Sequence, residues 1–120
     1  MTVFRPLCLI PLTTIALLAA CGDASAPKAQ HNKTVDVFTI GDSFSPVFAT
    51  IDAGDTVRWN FSGGSDGMGH NVRFTPRTTG APADINVLKT GTATRVFTTS
   101  GDFAYVCDVH PGMSGDVQVR

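Results

Sequence analysis

From Thr34 to the end of the chain there is no glutamate, and leucine occurs once, at Leu88. Both are good helix formers, so their scarcity argues against a helical domain. Cysteine is nearly as scarce, with Cys8, Cys21 and Cys107 in 120 residues. Cys107 is the single thiol beyond Thr34, which excludes a disulfide framework inside the domain. Basic runs are missing too: nine Lys and Arg stand singly among ten acidic residues, for a net charge of −1. That balance excludes nucleic acid as a partner. The one long apolar run, residues 7–20, is interrupted by Pro11, Thr13 and Thr14 and falls short of a membrane span.

What is present divides the chain into three. Residues 1–20 carry Arg5 as their only charge ahead of the apolar run and read as a secretory signal that is removed. The break, Leu18-Ala19-Ala20-Cys21, resembles the lipobox of bacterial lipoproteins. That resemblance implies lipidation at Cys21 and an extracytoplasmic protein, in the periplasm or at the cell surface, held to a bacterial membrane through the lipid alone. An ordinary signal peptide would instead leave Cys21 as a free thiol in an oxidising compartment. Residues 21–33 are small, polar and without apolar periodicity, as in a flexible tether. Residues 34–120 form one domain, small enough to need a staple. With no disulfide available, a metal is the next candidate.

The domain is rich in valine, threonine and phenylalanine separated by glycine and proline, a composition that suits half-buried strands. Val57, Trp59 and Phe61 alternate with polar residues over 56–61, the clearest strand. Further strands are expected over 34–40, 48–51, 71–75, 92–98, 103–107 and 116–120. Residues 76–89 read as loop with at most a short strand or helical turn. Seven to eight short strands with these turn signals predict an all-β Greek-key sandwich.

On this reading Cys107 ends one strand, and His110, Pro111, Gly112 and Met113 form the loop to the next. Thiolate, imidazole and thioether on one loop are soft to borderline ligands, a combination that favours copper over magnesium, calcium or a plain structural zinc. The domain offers one more imidazole, His70, because His31 lies in the tether. Two histidines, a cysteine and a weak axial methionine are the ligands of a blue-copper electron-transfer site. Met68 is a poorer axial candidate, since strand alternation carries it away from the side of His70.

The segments GDTVRWNF, GHNVRF and DFAYVCDVHPGMSGDVQV are similar to the cupredoxins, above all their plastocyanin and amicyanin-like branch. The resemblance covers nearly all of residues 34–120 and rests on His-Asn-Val upstream of Cys-x-x-His-x-x-Met and Gly-x-Val-x-Val. It implies one copper ion with His70, Cys107 and His110 as equatorial ligands and Met113 as the long axial one. It further implies that Asn71 ties its loop to the cysteine loop. Asp108 stands where the family often has serine or threonine, which alters that tie. His110 is expected nearest the surface, with Pro111 and Gly112 in a small apolar collar where a redox partner docks.

The functional expectation is a monomeric one-electron carrier between extracytoplasmic redox partners, such as a cytochrome or an oxidase or dehydrogenase. The alternative is a copper-binding module that buffers or delivers the metal. A copper enzyme needs a further, histidine-built centre for which the domain lacks histidines, and a structural zinc site is normally richer in cysteine.

Overall fold

The computed structural model describes residues 32–120. The signal segment, Cys21, His31 and all of the tether but its last two residues lie outside the described residues. Nine strands follow in order: β1 Thr34–Ile40, β2 Ser43–Ser45, β3 Phe48–Ile51, β4 Thr56–Phe61, β5 His70–Phe74, β6 Ile85–Leu88, β7 Gly91–Val96, β8 Gly101–Val106 and β9 Ser114–Val119. They form two sheets, ordered β2-β1-β4-β7 and β3-β9-β8-β5-β6. The expected all-β sandwich is the observed architecture. Its two strands beyond the seven read from turn spacing are β2, a three-residue edge piece, and β6, inside the stretch read as loop.

Two pairings are parallel, β1 with β4 and β3 with β9, and the rest are antiparallel. Alternation sends Val57, Trp59 and Phe61 of β4 inward, with Val37 of β1 beside them. The other sheet contributes Ile51, Val72, Phe74, Phe103, Tyr105, Val117 and Val119, and the two sets make one core. Aromatic rings fill its middle. Tyr105 meets Phe44 edge-on at 4.9 Å between centroids and Trp59 at 5.6 Å. Trp59 in turn meets Phe74 at 6.3 Å.

This core fixes where Cys107 can go. Phe103, Tyr105 and Cys107 are buried on alternate positions of one strand line, so the cysteine continues the inward face just past the end of β8. β9 opposes β8 with Tyr105 across from Gly115. A Cβ on Gly115 would collide with the Tyr105 ring, so only glycine lets the ring lie flat across β9. At the other wall, the register of β5 against β6 shifts between His70 and Val72. Such an irregularity breaks simple alternation, and His70, Asn71 and Val72 are buried in succession.

Candidate metal centre

Cys107 and Met113 bracket a tight loop. The Cys107 N–H donates to the Met113 carbonyl at 2.9 Å, and the Met113 N–H donates to the His110 carbonyl at 3.1 Å. The flanking residues Val106 and Ser114 are already paired across β8 and β9. The loop therefore has little freedom, and Gly112, at φ +87°, takes a backbone conformation that a side chain would resist. His70 reaches the same pole from the first position of β5.

The three donors converge. Cys107 Sγ lies 3.9 Å from His70 Nδ1 and 3.6 Å from His110 Nδ1. The ligand atoms of His70, Cys107 and His110 all fall within 4.8 Å of one another, and all three residues are buried. The two imidazole rings are tilted at 48° with centroids 4.6 Å apart. Three donors bound at about 2.0–2.3 Å around one first-row ion in a trigonal plane would sit about 3.5–4 Å apart. The spacing fits a single small ion. Met113 is 3% exposed at the end of the same loop, whereas Met68 is 54% exposed.

Electrostatics favour the ligand forms of His70 and Cys107. Burial holds the His70 ring below its ordinary range, and the His110 charge adds to that, so it stays neutral and able to bind metal. Its Nε2 is buried without a partner at hydrogen-bond distance. For Cys107, burial pushes the thiol up, but the Asn71 backbone N–H, the His110 ring and the backbone of His110 and Val109 outweigh it and leave the thiol lowered. His110 is raised, mainly by Cys107, with Asp66 and Asp42 adding to it against burial. The pair is biased toward thiolate, the form that coordinates.

Around the ligands, Asn71 and Asp108 are joined twice. The Asp108 N–H donates to Asn71 Oδ1 at 2.8 Å, and Asn71 Nδ2 donates to Asp108 Oδ2 at 3.2 Å. The tie between the two loops is thus a reciprocal pair that uses the Asp108 carboxylate. That carboxylate is held in turn by Arg73 Nε at 2.6 Å, and Arg73 also reaches Asp84 at 3.4 Å. Arg73 and Asp84 had no local signal in the sequence, since each is an ordinary surface charge until the strands align.

The surface above the ligands is covered by a neighbouring loop. His110 is the most exposed of the four candidate ligands, yet at 7% it is buried. The connection between β4 and β5 lies over it, so that a Cβ on Gly64 would come within 2.8 Å of His110 Cε1 and Nε2. Asp66 Oδ1 is 3.2 Å from His110 Nε2 and Asp42 Oδ1 is 3.5 Å from it. Gly64, which has no side chain, permits this close approach. Pro111 and Gly112 are exposed beside the covered ring.

Comparison with known proteins bears on the whole domain. Residues 33–120 match the family described as copper binding proteins, plastocyanin/azurin family. Among solved structures, the copper(I) form of a methionine-to-alanine variant of amicyanin is 27% identical, covers 72% of this chain and 82% of its own, and superposes with a TM-score of 0.62. A reduced proline-to-glycine variant of amicyanin is 30% identical, with 79% and 88% covered and a TM-score of 0.58. A copper-containing nitrite reductase from Thermus scotoductus SA-01 is 25% identical with a TM-score of 0.63; the match covers 81% of this chain but 24% of that enzyme. No curated protein matched the sequence.

Proposed function

Because the chain belongs to the plastocyanin/azurin family of copper-binding proteins, we propose that it is a one-electron carrier whose single copper ion is held by His70, Cys107, His110 and Met113. The observation that carries this reading is the buried convergence of the His70, Cys107 and His110 ligand atoms within 4.8 Å. A copper ion in such a set supplies reversible cycling between Cu(II) and Cu(I). The protein supplies the frame: β5 sets His70, the strand end after β8 sets Cys107, and the hydrogen-bonded loop sets His110 and Met113. Donors held this way before the ion arrives have little room to rearrange when its charge changes. Asn71 and Asp108 brace the cysteine side of the site, and the hydrogen bonds near the sulfur set how electron-rich it is.

The carrier reading is preferred to a catalytic one because His70 and His110 are the only histidines among the described residues and both belong to this one cluster. No histidine is left there for a second copper centre. It is preferred to copper delivery because the ligands are buried, and handing over a metal calls for exposed, exchangeable donors. Exposed Pro111 and Gly112 offer a small apolar contact for a redox protein such as a cytochrome or dehydrogenase, an encounter of the small, short-lived kind. A monomer working outside the cytoplasmic membrane, tethered through a lipid on Cys21, is consistent with the lipobox-like Leu18-Ala19-Ala20-Cys21.

The test is to load the chain with Cu(II) and record its visible spectrum and voltammogram beside a Cys107→Ser variant. An intense thiolate-to-copper band that disappears in the variant, with a reversible one-electron wave, is the expected result. A colourless protein, or copper that a chelator strips at once, would overturn the carrier reading and favour metal handling.

A further inference from the structure

The residues that cover the copper pole include two carboxylates, and both meet the one His110 nitrogen that does not face Cys107. Nδ1 of His110 looks at Cys107 Sγ from 3.6 Å. Nε2 looks at Asp66 Oδ1 from 3.2 Å and at Asp42 Oδ1 from 3.5 Å. Neither carboxylate hangs loose. The Met68 N–H donates to Asp66 Oδ1 at 2.8 Å, inside a turn closed by the Gly67 N–H on the Gly64 carbonyl at 2.9 Å. Ser65 donates its N–H to Asp42 Oδ1 at 3.1 Å and its hydroxyl to Asp42 Oδ2 at 2.6 Å. Ser65 therefore fastens the loop that carries Asp66 to the turn that carries Asp42. Gly64, with no side chain, lets this assembly close down on the ring.

A neutral imidazole carries its proton on one nitrogen and binds metal through the other, so whatever accepts the proton decides which nitrogen is free. We propose that Asp66, backed by Asp42, is the positioning residue of His110: it keeps the proton on Nε2, leaves Nδ1 for copper and clamps the ring at the pole. Its negative charge also favours Cu(II) over Cu(I), and so lowers the reduction potential. The inference rests on the copper reading above and adds to it a carboxylate-histidine tie built by the loop between β4 and β5.

The test compares the wild type with Asp66→Asn, Asp66→Ala, the Asp42→Ala/Asp66→Ala double variant and Asp102→Ala. The last removes an equal charge at the start of β8, away from the site. Two readouts serve. In the metal-free protein, nuclear magnetic resonance follows hydrogen exchange at His110 Nε2–H, expected slow in the wild type and fast in the double variant. In the copper protein, chelator competition gives Cu(I) affinity and voltammetry the potential. The double variant is expected to lose about 10–100-fold in affinity, the usual cost of deleting a partner of a metal-bound histidine. Asp66→Asn, which keeps an oxygen acceptor, is expected to hold most of the affinity while its potential rises. Asp102→Ala is expected to change neither. Unchanged exchange and affinity in the double variant would overturn the proposal, as would a rise in potential as large in Asp102→Ala as in Asp66→Asn. A wild type that takes up no copper would sink the copper reading, and the metal-free exchange data would still decide whether Asp66 holds the ring.

Discussion

Replacing Asn71 by aspartate changes a single group, Nδ2 to oxygen, and reverses the sign of one contact. In the native pair Nδ2 donates to Asp108 Oδ2 at 3.2 Å while Oδ1 accepts from the Asp108 N–H at 2.8 Å. The variant keeps the acceptor, loses the donor and sets carboxylate against carboxylate. A hydrogen bond to a charged group is worth about 1.5–3 kcal/mol. Two like charges at this range repel by about 1 kcal/mol in water and about 4 kcal/mol near a protein surface. Asp108 is 52% exposed and bound by Arg73, which keeps the repulsion toward the low end. There is also a ceiling: at pH 7 a carboxyl can take up a proton for about 4 kcal/mol, and a protonated carboxyl could donate again. Asn71→Asp is therefore expected to destabilise by about 2–4 kcal/mol at neutral pH.

The pH dependence follows from the sign of the shift. The new carboxyl has a folded-state pKa above its unfolded value, so the folded protein binds the extra proton. The penalty is full above the folded pKa, shrinks as pH falls and is gone below the ordinary aspartate pKa of about 4. Urea unfolding of the wild type, Asn71→Asp, Asp108→Asn and the double substitution, at neutral and mildly acidic pH, measures all of this. The double substitution again faces an amide with a carboxylate, with roles exchanged, and is expected to recover more than half of the loss. A single Asn71→Asp variant as stable as the wild type, or one equally destabilising in both backgrounds, would refute the reciprocal tie.

Gly115→Ala is expected to destabilise by about 1–3 kcal/mol through overpacking against the Tyr105 ring, and by clearly less in a Tyr105→Leu background. Equal penalties by urea unfolding would speak against the ring contact. Burial pushes the Tyr105 hydroxyl up to about 12, with the Trp59 indole offsetting a part. The unfolded chain ionises first, so stability is expected to fall by about 1.4 kcal/mol per pH unit between about 10 and 12. Tyr105→Phe should flatten that portion of the stability curve, and a wild-type curve equally flat would contradict the shift. Asp36 pairs with Arg58 at 2.6 Å and with Asn60 at 2.8 Å, but it lies on an exposed face. Asp36→Ala should barely move the urea midpoint in the same assay, and a shift as large as that of Gly115→Ala would mean the pair is shielded from water.

Much of this was legible because strand period two is a strong local signal. Val57, Trp59 and Phe61 on β4 declare their inward face without help from any other segment. The ligand loop is legible for the same reason, since Cys107, His110 and Met113 lie within seven residues. His70 was reachable because no other histidine of the domain remained. What stayed hidden depends on long-range placement. Asp66 meets His110 across 44 residues and looks, in Ser65-Asp66-Gly67, like any polar turn. The parallel pairing of β1 with β4 has no signature in alternation, which is the same for either direction. The burial of Asn71 next to His70 needed the register shift against β6, and β6 is a four-residue strand at the end of a stretch broken by Pro76, Gly80 and Pro82.

The anchoring of Lys33 has a mechanical consequence. Its carbonyl accepts from the Thr56 N–H and its N–H donates to Asp55 Oδ1, both at 2.9 Å. From there β1 runs unbroken for seven residues to the turn that carries Asp42, beside His110. At about 3.3 Å per residue, that puts roughly 23 Å between the entry of the preceding chain and the copper pole. The preceding chain therefore enters the domain at the end away from the copper pole. A pull applied there would run into the parallel pair of β1 and β4 and bypass the loop that holds the ligands.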